Sequence, residues 1–199
     1  MATDNTTRYA VLGMLCARPR SGYDVKKAID GSIAHFWSES FGQIYPILRR
    51  LGADGLARRR RETQRGKPDR HVYSITPRGR DALRAWLGQP VRPEGVRSEL
   101  LLKLFLGALA PAETSLAHVR QFQQRQRALL ETYAEIERRL RGEHAQHPEL
   151  PYWLMTLHYG QRRAEALSHW ATDVVKTLEK PGRAPRKARR VTPAPKETS

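Results

Sequence analysis

The sequence predicts a mainly α-helical chain in two folded parts, the first with one short β-hairpin, the second all helix. Three observations predict it. Apolar residues recur every three or four positions over most of the chain. One stretch, between Leu56 and Thr76, changes to a strand-like pattern around a turn containing glycine and proline. Finally, "QPVRPEG" at 89–95 has the composition of a linker and separates short amphipathic runs from two very long ones.

The first helix is expected over about 6–17 ("TTRYAVLGMLCA"), with Tyr9, Leu12 and Leu15 or Cys16 on one side, and "RPRSG" ends it. A second follows over about 22–33, with Tyr23, Val25, Ile29 and Ile33 as its apolar set. The third lies in "SESFGQIYPILRRLGADGL", residues 38–56, where Ile44, Ile47, Leu48 and Leu51 fall on one face. Ser40 with Gln43 three residues on is a capping box, so this helix starts at Ser40. "ARRRRETQ" and "HVYSIT" then flank "RGKPDR" as two strands and a turn, an edge hairpin in view of its proline and charges. Thr76 or Pro77 opens a helix over about 77–88 carrying Ala82, Leu83 and Trp86. Three helices, a two-stranded wing and a further helix outline a winged helix-turn-helix over residues 1–90.

Beyond the linker, "SELLLKLFLGALA" is apolar nearly all round and too short to span a membrane, so a buried helix is expected. In the segment about 112–146, Val119, Phe122, Gln126, Leu129, Tyr133, Ile136 and Leu140 step alternately by three and four. Trp153, Leu157, Gly160, Ala164, Leu167, Ala171, Val174 and Leu178 do the same over about 150–179. Such stripes want long partners at shallow angles, and a helix of the first length runs about 50 Å. Little in one chain of this size could cover both, so residues 91–179 are expected to form a homodimer. Its contacts would be Phe122, Leu129, Tyr133, Ile136, Trp153, Leu157, Leu167 and Val174; an intramolecular hairpin is the alternative. The last stretch, 180–199, is basic and proline-rich and is expected to be a disordered tail.

Charge divides unevenly along the 199 residues. Residues 1–90 carry +9, 91–179 carry +1 and 180–199 carry +6, together the chain's +16. A basic first part implies a polyanionic partner, nucleic acid or an anionic membrane surface. The membrane is the weaker reading, because the basic segments have no apolar face beside them. A single cysteine, Cys16, excludes an intrachain disulfide and suits a reducing interior. With no long apolar run and no leader-like start, a cytoplasmic protein is expected.

The face of the third helix opposite its apolar side is unusual for a plain surface. In a helix-turn-helix the second helix of the motif enters the major groove, its N-terminal residues reaching base edges. Ser40, Gly42, Gln43, Tyr45 and Pro46 occupy that end. Gly42 lets backbone approach a phosphate, and Tyr45 offers a hydroxyl at phosphate reach. Gln43 can pair with adenine or keep its capping bond, and Arg49 and Arg50 suit phosphate or guanine. Pro46 removes one intrahelical bond. Arg65, Lys67 and Arg70 on the hairpin are the wing's candidates for DNA. Of the run Arg58, Arg59, Arg60 and Arg61, alternate residues face opposite ways, so at most half meets one partner; protection of a sheet edge is its other reading.

Catalytic chemistry finds little support. Glu143, His144, His147 and Glu149 are the one tight cluster, at a helix end beside Pro148 where polar residues gather anyway. Cys16 sits on an apolar face and no phosphate-binding loop occurs, so no catalytic residue, metal or cofactor is expected and the chain is not an enzyme. Trp37, Trp86, Trp153 and Trp170 suit core packing or stacking on an aromatic effector.

"SGYDVKKAI", "FGQIYPILRRLGADGLA" and "GKPDRHVYSITPRGRDAL", in order and nearly gap-free over about 7–88, resemble the PadR family of bacterial transcriptional regulators. The helical remainder resembles, more loosely, the longer C-terminal domain of one PadR subgroup. The resemblance implies a dimeric, nucleoid-associated repressor on a pseudo-palindromic double-stranded operator, released by a small molecule or stress signal. Gln43 and Ile44 stand where the family usually has Thr and Leu. Gly52 replaces an acidic or polar residue and weakens the helix by roughly 1 kcal/mol relative to alanine. A non-specific architectural DNA-binding protein is the rival reading.

Overall fold

The computed structural model describes residues 2–64, 67–91 and 97–180. The basic tail at 181–199 and Arg65 at the wing tip lie outside the described residues. The chain divides into two compact units, Met1–Pro93 and Glu94–Ser199, a break that falls inside "QPVRPEG".

The first unit runs α1 (Ala2–Ala17), β1 (Arg20–Ser21), α2 (Gly22–Ser32), α3 (Phe41–Ala53), β2 (Ala57–Gln64), β3 (Lys67–Ile75) and α4 (Pro77–Leu87). The residues at helical spacing build its core. Val11, Leu12 and Leu15 meet Val25 and Ile29 from α2 and Ile44, Leu48 and Leu51 from α3. Tyr9 stacks flat on Trp86 with centroids 4.6 Å apart, which fixes what that tryptophan does. Thr76 caps α4 by accepting from Gly79 N–H at 3.0 Å, and Pro77 takes the first helical position. A second tie sets the start of α3. Thr7 Oγ1 donates to the buried Glu39 carboxylate at 2.5 Å, joining the residues before α3 to α1.

The sheet has three strands, not the two expected of the wing, in the order β1-β3-β2, all antiparallel. The added strand is two residues long, Arg20 opposite Tyr73 and Ser21 opposite Val72, and two residues cannot show a period. Ser21 is also the N-cap of α2: Asp24 N–H donates to its Oγ at 3.2 Å, and Ser21 N–H donates to the Asp24 carboxylate at 3.1 Å.

The second unit comprises α5 (Glu99–Phe105), a 3₁₀ turn (Gly107–Leu109), α6 (Ala112–Glu143) and α7 (Leu150–Glu179). Two expectations are corrected in it. The buried helix over "SELLLKLFLGALA" is seven residues of α-helix that bury none of their side chains. Leu101, Leu102, Phe105, Leu106 and Leu109 are exposed, Phe105 at 85%, because α6 and α7 fill one another's apolar sides instead.

The second correction is the premise that one chain could not cover two long stripes. α6 and α7 form an antiparallel hairpin, and the stripes face each other. Tyr133, Leu157 and Ala164 are its buried centre, with Leu130, Ile136, Leu140 and Leu154 packed around them. The Tyr133 ring lies so close over Gly160 that a Cβ there would be 3.0 Å from it. Phe122 meets Trp170 edge-on at 5.9 Å, and Gln123 Nε2 donates to Thr172 Oγ1 at 2.6 Å. Leu167 and Val174 are half-buried, and Trp153 stacks on His147 at 4.5 Å. Of the eight residues expected to pair two chains, Leu129 alone stands exposed.

Candidate nucleic-acid interface

α3 is two-faced. Ile44, Ile47, Leu48 and Leu51 are buried, while Ser40, Phe41, Gly42, Gln43, Tyr45, Pro46, Arg49 and Arg50 are exposed. The helix continues through Pro46, whose missing N–H leaves the Gly42 carbonyl without an intrahelical donor. Gln43 has settled its choice of partner: its Oε1 accepts from both Ser40 N–H and Ser40 Oγ–H at 3.0 Å. Two accepted bonds occupy the lone pairs that a bidentate grip on adenine would need.

Between this face and the wing lies a cleft of about 620 Å³, lined by Ser21, Gly22, Tyr23, Asp24, Tyr45, Arg49, Arg59, Arg70, His71 and Tyr73. Three elements position its polar groups. α3 supplies Tyr45 and Arg49, one turn apart. The start of α2 supplies Gly22, which lets the Tyr45 ring rest on backbone; a Cβ there would fall 2.4 Å from Tyr45 Cε1. The wing supplies Arg59, opposite Tyr73 in the strand register, so the alternate arginines Arg59 and Arg61 share a face and Arg58 and Arg60 take the other.

Electrostatics separate the arginines into two kinds. Among the described residues Arg49 and Arg59 form no hydrogen bond or ion pair, leaving two uncompensated cations on the cleft. Arg70 is held. Its Nε and Nη2 reach Glu62 Oε2 at 3.2 and 3.1 Å, and its Nη1 lies 3.7 Å from Asp24. Arg60 occupies the other Glu62 oxygen at 2.8 Å. Hydrogen bonds from Arg60 and then Arg70 hold the Glu62 carboxyl below the usual carboxylate range. Asp24 is lowered as well, by the Ser21 hydroxyl first and then by Ser21 N–H and Arg70. An anion entering the cleft meets open guanidinium groups of α3 and β2, a tyrosine hydroxyl, and an arginine of fixed orientation.

Tyr45, Arg49 and Arg70, each expected from the sequence, meet in this cleft, while Ser40, Gly42, Gln43, Pro46 and Arg50 lie on the same exposed helix face. Lys67 is placed in β3 by its backbone. Sequence reasoning missed His71, Ser21, Gly22, Tyr23 and Asp24, and left open which half of the run containing Arg59 meets a partner. The Ser-x-x-Asp pattern at 21–24 announces a second capping box and could have pointed to the start of α2; which half of the arginine run faces the cleft depends on the strand register alone.

Two family matches cover most of the chain. Residues 11–85 match the transcriptional regulator PadR-like family, and residues 96–179 match the virulence activator alpha C-terminal family. Over 134 residues the chain is 34% identical to the negative transcriptional regulator PadR of Bacillus subtilis, covering 66% of this chain and 73% of that protein. This chain belongs to the PadR family of transcriptional regulators. A probable transcriptional regulator of Mycobacterium tuberculosis is 26% identical over 182 residues, 86% of this chain and 96% of that one. The crystal structure of Bacillus subtilis PadR in complex with operator DNA superposes with a TM-score of 0.75 at 25% identity, covering 87% of this chain and 99% of that one. The same protein has been solved with p-coumaric acid (TM-score 0.69, 23% identity, 89% and 97% covered), an alignment that speaks to fold alone. The PadR family is one of regulators rather than enzymes. Among the described residues no trio of His, Cys, Asp or Glu is arranged to hold a metal ion, and His144 and His147 are engaged with Trp153.

Proposed function

We propose that the chain is a sequence-specific repressor that docks the exposed face of α3 in the major groove, with the wing on the adjacent backbone. One observation carries the reading: Arg49 and Arg59, without partners among the described residues, line one cleft with Tyr45, between a capped helix and a basic hairpin. Buried or paired arginines would suit a structural role; unpaired ones beside a hydroxyl suit phosphate. Ser40, Gly42, Gln43, Pro46 and Arg50 complete the helix face, Arg70 stands on the wing side, and Arg65 and Lys67 are proposed as further wing contacts to DNA.

The acting form is a homodimer on a pseudo-palindromic operator. Its contacts are assigned to the apolar side chains that the helical unit leaves outward, Leu101, Leu102, Phe105, Leu109, Leu129 and Met155, in place of the stripe residues spent within the hairpin. Sedimentation of the full chain checks this, a monomer at micromolar concentration being the adverse result. We place its site of action in the bacterial cytoplasm, on the nucleoid, because the family's members are transcriptional regulators; no helix among the described residues is long and apolar enough to cross a membrane. Release by a small-molecule or stress signal is proposed by analogy with the family, whose Bacillus subtilis member has been solved with p-coumaric acid.

Fluorescence anisotropy against the DNA upstream of the chain's own coding region, beside a scrambled duplex and at two salt concentrations, tests the proposal. Specific binding that survives moderate salt upholds it, since a specific site is worth ~4–10 kcal/mol over random DNA. Equal binding to both duplexes that collapses as salt rises is counterion release, the behaviour of an architectural protein. Selection from random DNA then separates that reading from an operator located elsewhere.

A further inference from the structure

We propose that Phe41 reads the C5-methyl group of a thymine in the major groove, and so fixes one base of each operator half-site. The inference rests on the DNA-binding reading above and names the base chemistry that the start of α3 recognises.

Phe41 is the first residue of α3 and is 43% exposed, a large apolar ring kept in water at the end of the helix aimed at the groove. It is not loose. Its ring is near-parallel to two tyrosine rings, Tyr23 with centroids 6.1 Å apart and planes 12° apart, and Tyr45 at 6.3 Å and 25°. Lys26 Nζ lies 5.7 Å from its centroid. Tyr23 and Tyr45 also line the cleft with Arg49, Arg59 and Arg70, so the exposed ring is continuous with a cationic, phosphate-seeking surface. That charge makes nucleic acid its partner.

The neighbouring residues leave the ring as the element that meets a base. Gly42 has no side chain to offer. Gln43 Oε1 is saturated by Ser40 N–H and Ser40 Oγ–H, so reading adenine would cost the helix its cap. The end of the helix therefore presents a hydrocarbon face where an amide reader would otherwise stand. On the base edges of the major groove the one apolar group is the thymine methyl. Ring and methyl match as the two desolvatable surfaces of the interface.

Uracil tests this, because it pairs as thymine does and lacks the methyl alone. A duplex is first selected from random DNA with the full chain. Each thymine of that duplex is then replaced singly by uracil, and affinities are measured for the wild type, Phe41→Ala and Phe41→Leu. One position in each half-site should respond, the wild type losing about fourfold, equivalent to ~0.8 kcal/mol for one buried methyl. Phe41→Ala should bind more weakly and be indifferent at that position, whereas Phe41→Leu should still prefer thymine. A selected duplex on which no uracil matters to the wild type, or matters equally to Phe41→Ala, overturns the assignment while leaving DNA recognition standing. Failure to enrich any duplex overturns DNA recognition itself, and this assignment with it.

Discussion

Replacing Gly22 with alanine should weaken operator binding while leaving the fold intact. The added Cβ would stand 2.4 Å from Tyr45 Cε1 and 2.9 Å from Cδ1 and Cζ, where carbon atoms at rest keep about 3.5–4.0 Å. The three nearest atoms all belong to this one ring, so relief requires the ring to withdraw by roughly 1 Å. The backbone does not object: Gly55 is the one described glycine at positive φ, and alanine is favoured over glycine in a helix by roughly 0.5–1 kcal/mol. A hydrogen bond lengthened by ~1 Å is no longer one. If the Tyr45 hydroxyl holds a phosphate, its loss is worth about 1.5–3 kcal/mol, or roughly 10-fold to 100-fold in affinity. Anisotropy on a selected operator measures this beside a thermal scan. Tyr45→Phe, which deletes the hydroxyl alone, should give a similar loss, and the double variant should be no worse than either. Wild-type affinity in Gly22→Ala would refute the reasoning. So would a Tyr45→Phe that binds normally while Gly22→Ala does not, since the ring's placement would then matter for another reason.

Three further expectations follow from the geometry. Gly79→Ala puts a Cβ 2.1 Å from the Leu56 carbonyl oxygen and 2.9 Å from Ile75 Cγ1; a backbone neighbour cannot step aside, so the first unit should lose at least ~1–3 kcal/mol, and an unchanged melting temperature would contradict this. Glu62→Gln removes the negative charge that pairs Arg60 and Arg70, Arg70 keeping Asp24, so binding to random duplex should tighten and its salt dependence steepen; a flatter salt slope would show that Glu62 organises the arginines instead of restraining them. Hydrogen bonds from Gln161, Arg141 and His158 pull the Glu137 carboxyl to about 2, below its ordinary 4.5. Because the folded value is the lower one, this support of the α6–α7 hairpin is full above about 4.5 and is lost as pH falls towards about 2. Thermal midpoints followed from pH 5 to pH 2 should therefore fall more steeply for the wild type than for Glu137→Gln, and parallel curves would remove the group from the account.

Much of this was legible before any coordinates. Ser40 with Gln43 marks the start of α3 because a capping box involves four consecutive residues. Ile44, Ile47, Leu48 and Leu51 mark its inner face because a helix repeats its faces whatever surrounds it. Thr76 and Pro77 announce α4 in the same local way. These signals place Tyr45 and Arg49 on the outside, and with them half of the candidate interface. The stripes of α6 and α7 are equally plain in the sequence, which dictates that each helix has a long apolar side.

What covers that side was decided elsewhere. A stripe wants a complement and does not name it; α7 turns back on α6 across the short 144–149 connection, so the complement is in the same chain and, Leu129 apart, the residues first assigned to a partner are buried or half-buried. β1 could not be foreseen, since two residues become a strand when β3 lies alongside. The pairing of Arg70 with Glu62 across the hairpin, the lack of a partner for Arg59 among the described residues, and the seat of Tyr45 on Gly22 are likewise set by strand register and helix docking. The sequence by itself determined the helices, their faces and the charge that calls for a polyanion. Tertiary structure alone decided which cations stay unpaired to receive it, because pairing depends on what packing brings within reach.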